Sequence, residues 1–171
     1  MRPQAFLTAR ALVVALLFCV VTHAVAQDFS AQPLRGFGPV NVAVDGVPPD
    51  YARYGLTADE LRRHVETGLT TAGFTVVDDA TAKRDAGVGQ LRVKLRTVMS
   101  AYGFYSYALA FEARRKLPLA AGGFTSQSVW STGQSGVLTE SELPRLVGVC
   151  DTLLAAFTAA HGADNVGVPA P

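Results

Sequence analysis

The sequence predicts an α+β fold: a two-layer sandwich of order βαβββα, with one mixed sheet and both helices on one face. Three patterns predict it. Apolar and polar residues alternate in several short runs, the period of half-buried strands. Two longer segments carry apolar stripes at helical spacing instead. Each stripe occupies a single side of its helix, so both helices can cover the same face of one sheet.

The chain has 171 residues, 49% of them apolar, with a formal net charge of +1. Residues 1–26 read as a secretory signal peptide. Arg2 and Arg10 form its basic region, residues 11–21 its apolar core, and Ala24-Val25-Ala26 a small-x-small cleavage site before Gln27. The apolar core is shorter than the roughly 20 residues of a spanning helix. No later segment is apolar enough, so no transmembrane segment is expected in the mature chain. Cleavage near Ala26-Gln27 implies a periplasmic or secreted protein. Phe18 is too large to precede a lipidated cysteine, so Cys19 leaves with the leader. Cys150 then stands alone and cannot form an internal disulfide. The mature chain keeps 13 basic and 14 acidic residues. It lacks the positive field that nucleic-acid binding requires, and none is expected.

Residues 27–36 read as a flexible lead-in, 37–163 as a single α+β domain and 164–171 as a disordered tail. Val40, Val42 and Val44 alternate with Asn41, Ala43 and Asp45 and predict the first strand. Pro48-Pro49 breaks it into a loop over 46–56. Thr57 with Glu60 spells a capping box, followed by the stripe Leu61, Val65, Leu69 and Ala72. Gly73 stops this helix, and 74–79 (FTVVDD) predicts a second strand completing a right-handed parallel βαβ unit. Asp78-Asp79 reads as the solvated turn after it.

The third and fourth strands carry the pattern most clearly. Leu91, Val93, Leu95, Thr97 and Met99 share one face, and Gln90, Arg92, Lys94 and Arg96 the other. Tyr105, Tyr107, Leu109, Phe111 and Ala113 form the apolar face of the next strand. Both apolar faces must meet one core, so odd residues pair with odd. A three-residue loop over 102–104, with Gly103 supplying positive φ, predicts Leu95 opposite Phe111 and Met99 opposite Tyr107. It also sets Lys94 opposite Glu112 and Arg92 opposite Arg114. Residues 124–132 predict a fifth strand, with Phe124 and Trp130 on one face and Trp130 in the core. Residues 133–138 read as a loop. The last helix spans 139–161 with Leu143, Leu146, Val147, Cys150, Leu153, Leu154 and Phe157 as its stripe. Pro144 suits a first turn and favours Ser141 over Thr139 as its cap. Gly162 stops it.

A valine-rich strand, a capped helix ending in Leu69-Thr70-Thr71-Ala72-Gly73-Phe74, then TVVDD, three strands and a closing helix resembles the small exported envelope modules typified by the TolB amino-terminal domain and the curli-secretion lipoprotein domain. The resemblance covers about residues 39–161 and rests on fold markers. It departs from those families in having no propeller after the last helix and no lipid box. It implies an envelope-associated assembly or scaffold role and an envelope protein partner. It transfers no catalytic residue.

No catalytic motif is complete. There is no phosphate loop. Gly36-Phe37-Gly38 precedes a strand instead of a helix. Gly133-Gln134-Ser135-Gly136 mimics a nucleophile elbow, but Val137 stands where its second glycine belongs. His64 and His161 lie on different helices and Cys150 falls on an apolar stripe, so no metal site, cofactor or enzymatic activity is expected. A buried cluster of His64 with two carboxylates would point the other way.

Two surfaces remain as candidates. The loop bearing Tyr51, Arg53 and Tyr54 follows the end of the first parallel strand, where α/β units carry binding residues. It could hold a small anionic ligand. The outer sheet face gathers Arg92, Lys94, Arg96 and Arg114 around the small Ala108, Ala110 and Ser106, with room for a partner to approach. Tyr105 and Tyr107 point to the opposite face, which removes the aromatic platform that single-stranded nucleic acid would use.

Overall fold

The computed structural model describes residues 32–166. The expected signal peptide and the end of the expected tail lie outside the described residues. Strands β1 (Val40–Asp45), β2 (Gly89–Met99), β3 (Phe104–Pro118) and β4 (Phe124–Thr139) form one mixed sheet in that order. β1 runs parallel to β2, and the other pairs are antiparallel. Helices α1 (Ala58–Thr71) and α3 (Leu146–Asp164) pack on a single face, as the two stripes predict. Leu61, Val65 and Leu69 from one helix join Leu146, Cys150, Leu153 and Phe157 from the other in a continuous core with the odd residues of β2 and β3. A short helix, α2 (Asp79–Arg84), lies beyond the β1 edge.

The local signals of α1 act as expected. Thr57 Oγ1 accepts the Glu60 N–H at 3.1 Å, and the Glu60 carboxylate accepts the Thr57 N–H at 3.2 Å. The expected strand over 74–79 is reduced to one parallel bridge between Val40 and Val76. The side chain of Asp78 accepts the Thr81 N–H at 2.7 Å and starts α2 there. A carboxylate that caps a helix ends the extended run just after that bridge, which lies on the edge of β1 opposite β2.

The β2–β3 register also differs from expectation. Leu95 faces Leu109, Val93 faces Phe111 and Met99 faces Tyr105. The loop has three residues, but they are 101–103. Ser100 closes it, donating its N–H to the Phe104 carbonyl at 2.7 Å and accepting the Phe104 N–H on its hydroxyl at 3.2 Å. Gly103 holds φ +80°, the left-handed position that ends such a loop. Moving the loop by one residue shifts pairing by two, so the core face is preserved. Met99 lies past the cover of the helices and is exposed.

β4 is longer than expected, because 133–138 continues the strand instead of looping. A Cβ on Gly136 would sit 2.8 Å from the Tyr107 ring, so glycine here lets the strand pass an aromatic side chain. Val129 is an inserted residue: Trp130 pairs with Ala113, but Ser128 pairs with Arg114. The bulge sends the two aromatics to opposite faces. Trp130 is half-buried against Phe157, with ring centroids 5.5 Å apart, while Phe124 is exposed.

The chain enters the last helix through a 3-10 turn, Glu140–Arg145, which contains Pro144. Thr139, not Ser141, is the cap residue. Its N–H and hydroxyl both donate to the Glu142 carboxylate, at 3.0 and 2.9 Å. The helix runs through Gly162 to Asp164. The span Glu140–Asp164 is long and apolar enough to cross a bilayer by length and composition alone, yet its buried stripe packs on the sheet. The lead-in and tail meet: Leu34 is fully buried, and the Asn165 side chain accepts the Gly36 N–H at 2.7 Å. Described residues 32–36 and 164–165 are therefore part of the packed unit.

Candidate functional site

Residues 49–54, after β1, form a 3-10 helix. Tyr51 is the residue of this turn that the core claims. It is buried, donates its hydroxyl to Thr97 Oγ1 at 2.8 Å and meets the Tyr105 ring edge-on at 5.8 Å. Tyr54 is half-buried beneath the Arg53 guanidinium, 4.6 Å from its ring centroid. Arg53 also donates to the Glu140 carboxylate at 2.9 Å, and both side chains are more than half exposed. The loop therefore brings Arg53 and Tyr54 together at the surface and turns Tyr51 away. The shallow hollow beside it is lined by Tyr54, Gly103, Thr139, Glu140 and Ser141, whose charged member is an acid.

The outer sheet face has two unlike ends. At one end the basic residues are largely neutralised. Arg92 stands opposite Glu112, not Arg114, and donates to the Asp45 carboxylate. Glu112 accepts from Lys94 and, at 2.9 Å, from Arg114. The Lys94 ammonium first, then the Ser128 hydroxyl and Arg114, hold the Glu112 carboxyl below the usual carboxylate range against the opposing effect of burial. The corrected register thus removes the like-charge opposition of Arg92 and Arg114 and replaces it with a compensated network. Arg96 is exposed, and among the described residues no carboxylate pairs with it.

At the other end, Val98 and Val137 flank Ser106 from either side. They are 70% and 63% exposed, and Phe104, on the same face, is 48% exposed. Between the two ends lie Ala108, Ala110, Gly133 and Ser135, which leave the middle of the face flat. Val98 follows Arg96 among the outward positions of β2, and the turn from basic to apolar there was its signal in the sequence, whereas Phe104 reads as a loop residue in the sequence and begins β3 instead. Val137 was hidden because the strand that carries it reads as a loop.

The catalytic alternatives find no geometry among the described residues. His64 Nε2 lies 2.6 Å from Asp151 Oδ1, an exposed pair between α1 and α3 with one carboxylate and not two. Among the described residues, no three His, Cys, Asp or Glu side chains converge as a metal site. Gly133 to Val137 is extended strand, so Ser135 sits on no elbow. Burial, with the neighbouring Asp151 charge, pushes the Cys150 thiol up to about 12.

No protein-family model and no curated protein matches the chain. Solved structures similar to it include a PelC dodecamer from Paraburkholderia phytofirmans, at 17% identity and TM-score 0.41 over 74% of this chain and 89% of that one. A minor lipoprotein from Acinetobacter baumannii follows at 13% and 0.35, over 75% and 92%. A neuraminyllactose-binding hemagglutinin homolog from Helicobacter pylori gives 9% and 0.31, over 75% and 86%. These neighbours are bacterial envelope or lipoprotein-type proteins. At these scores they assign no function to this chain.

Proposed function

We propose that this chain is a non-catalytic docking module of the cell envelope, exported by its amino-terminal leader, which engages a protein partner through the outer face of its sheet. One observation carries the reading. The helices cover one side of the sheet, and the uncovered side presents Val98, Phe104 and Val137 together at the β2–β3 hairpin end. Clustered apolar side chains on an otherwise polar face favour association, because docking removes them from water. Arg96 borders the cluster with no carboxylate paired to it among the described residues, so the partner is a protein surface with an apolar ridge flanked by an acidic residue. The alternative, a small anionic ligand held by the loop over 48–57, loses Tyr51 to the core and finds Arg53 already paired with Glu140.

The test is site-specific photo-crosslinking in intact cells from probes at Val98 and at Glu66, the latter on the helix layer. The expected result is a discrete adduct from Val98 that Phe104→Asp and Arg96→Glu each abolish, with none from Glu66. Absence of a Val98 adduct, or one that both substitutions leave intact, overturns the proposal.

A further inference from the structure

A groove of about 360 Å³ opens between α2 and the outer side of the sheet, at the end of β2 and β3 remote from Val98. Its floor is built from small residues. Ala43 of β1 and Ala82 of α2 carry only a methyl group, and this keeps the space open. Its size falls in the range of small-molecule sites, roughly 300–1,000 Å³.

The charge around it is one-sided. Arg62, Lys83, Arg114 and Lys116 line the groove with a single carboxylate, Asp79, while Glu112 pairs with Arg114 from outside it, so the basic residues keep an excess of two charges. That carboxylate is already engaged. It accepts from the Asn41 amide at 2.8 Å and lies 3.7 Å from Arg62. Two of the cations are fixed in place. The Lys116 ammonium is held by the backbone carbonyls of Ala82 and Asp85, which position it without neutralising it. Arg114 is braced by Glu112 and by the hydroxyl and carbonyl of Ser126, at 2.9, 3.0 and 2.8 Å. The other two are less fully engaged. The Arg62 Nε–H is buried with no hydrogen-bond partner among the described residues. Lys83 is exposed, and no carboxylate among them pairs with it.

Like charges set around a concave, partly desolvated wall repel one another and concentrate a field that attracts the opposite charge. Guanidinium and ammonium groups satisfy carboxylate and phosphate oxygens with their strongest hydrogen bonds. We propose that this groove binds a small, multiply charged oxyanion, a polycarboxylate or phosphate compound, with Lys116 and Arg114 as the fixed contacts and Arg62 and Lys83 closing on it. This site is separate from the docking surface, so either can fail alone.

The test is calorimetric titration of the purified protein with citrate and with pyrophosphate, paired with amide NMR. Saturable binding of either anion is expected, with the largest shifts at Gly89 and Gln90. The double substitution R62Q/K83Q should weaken it by about tenfold or more, the loss expected from one or two charge-assisted hydrogen bonds. Lys83→Glu, at an exposed position of α2, should weaken it as well and keeps the test valid if the Arg62 change disturbs folding. No saturation with either anion at millimolar concentration overturns the proposal. So does binding that R62Q/K83Q and Lys83→Glu leave unchanged, or shifts centred away from Gly89.

Discussion

The carboxylate of Asp164, at the end of the last helix, accepts the backbone N–H of Leu34 at 2.7 Å. This bond and those of Asn165 hold the segment before β1 against the close of α3, with Leu34 fully buried between them. Hydrogen bonds to charged groups contribute about 1.5–3 kcal/mol, and this one is partly exposed. Asp164→Ala should therefore cost about 1–2 kcal/mol. Leu34→Ala should cost about 2–5 kcal/mol, the range for a buried leucine. Urea denaturation checks both. Trypsin at Arg35 should cut the Asp164→Ala protein faster than the parent under native conditions.

Phe157 is the hub of the aromatic core. Phe37, Phe74 and Trp130 surround it at centroid separations of 5.9, 5.4 and 5.5 Å. Phe157→Ala removes the ring that touches all three and should cost about 3–5 kcal/mol. Trp130 is the single tryptophan of the chain, so its emission reports the change directly. A red shift in the folded variant is expected, as water reaches the indole. Phe157→Leu should shift it less. Unchanged emission in Phe157→Ala would place Trp130 outside this contact.

The faces of β2 and β3 were legible in the sequence because parity alone sets them, and parity survives a shift of two residues. The register was not. The choice between loops 101–103 and 102–104 rests on the Ser100 hydroxyl and on Gly103, which alternation does not encode. The same holds where one residue decides a face. Val129 sends Phe124 outward, and glycines at 133 and 136 look like a loop until the Tyr107 ring is set beside them. The basic residues of the outer face were visible, but the partner of Arg92 was not, since Asp45 reaches it only once β1 lies parallel to β2. The anion groove draws on α1, α2 and all four strands, so no local spacing announces it.

Burial in the α3 stripe raises the Cys150 thiol far above its ordinary value, with the Asp151 charge adding to the effect. The thiolate is the nucleophile, so this side chain should be inert to iodoacetamide at pH 8 in the folded protein and react readily in urea. The folded value near 12 exceeds the unfolded value of about 8.5. The neutral thiol therefore favours the fold. Its contribution is complete below about pH 8.5 and is lost as pH rises toward the folded value. Cys150→Ala should make the alkaline fall in urea midpoint shallower. Fast alkylation of the native protein would contradict the burial.

Glu112 sets the acid side of the stability profile. Its side chain is 13% exposed and is held ionised by Lys94, Ser128 and Arg114. A carboxyl whose folded pKa lies below its unfolded value supplies stability that is present above the ordinary carboxylate value and declines as pH falls through the folded one. The urea midpoint should therefore drop as the solution is taken from neutrality to about pH 3. Glu112→Gln should lower the midpoint at neutral pH, where the charge is lost, and flatten the decline. The flattening is partial, because Asp78 and Glu142 are also lowered, by the backbone N–H groups of Thr81 and Thr139, and titrate over the same range. Asp78→Asn on top of Glu112→Gln should flatten it further. If Lys94→Met reproduces the neutral-pH loss of Glu112→Gln, and the two losses together fall short of their sum, the Lys94–Glu112 pair is the unit that couples β2 to β3 on the outer face. Full additivity would mean that the two residues act separately.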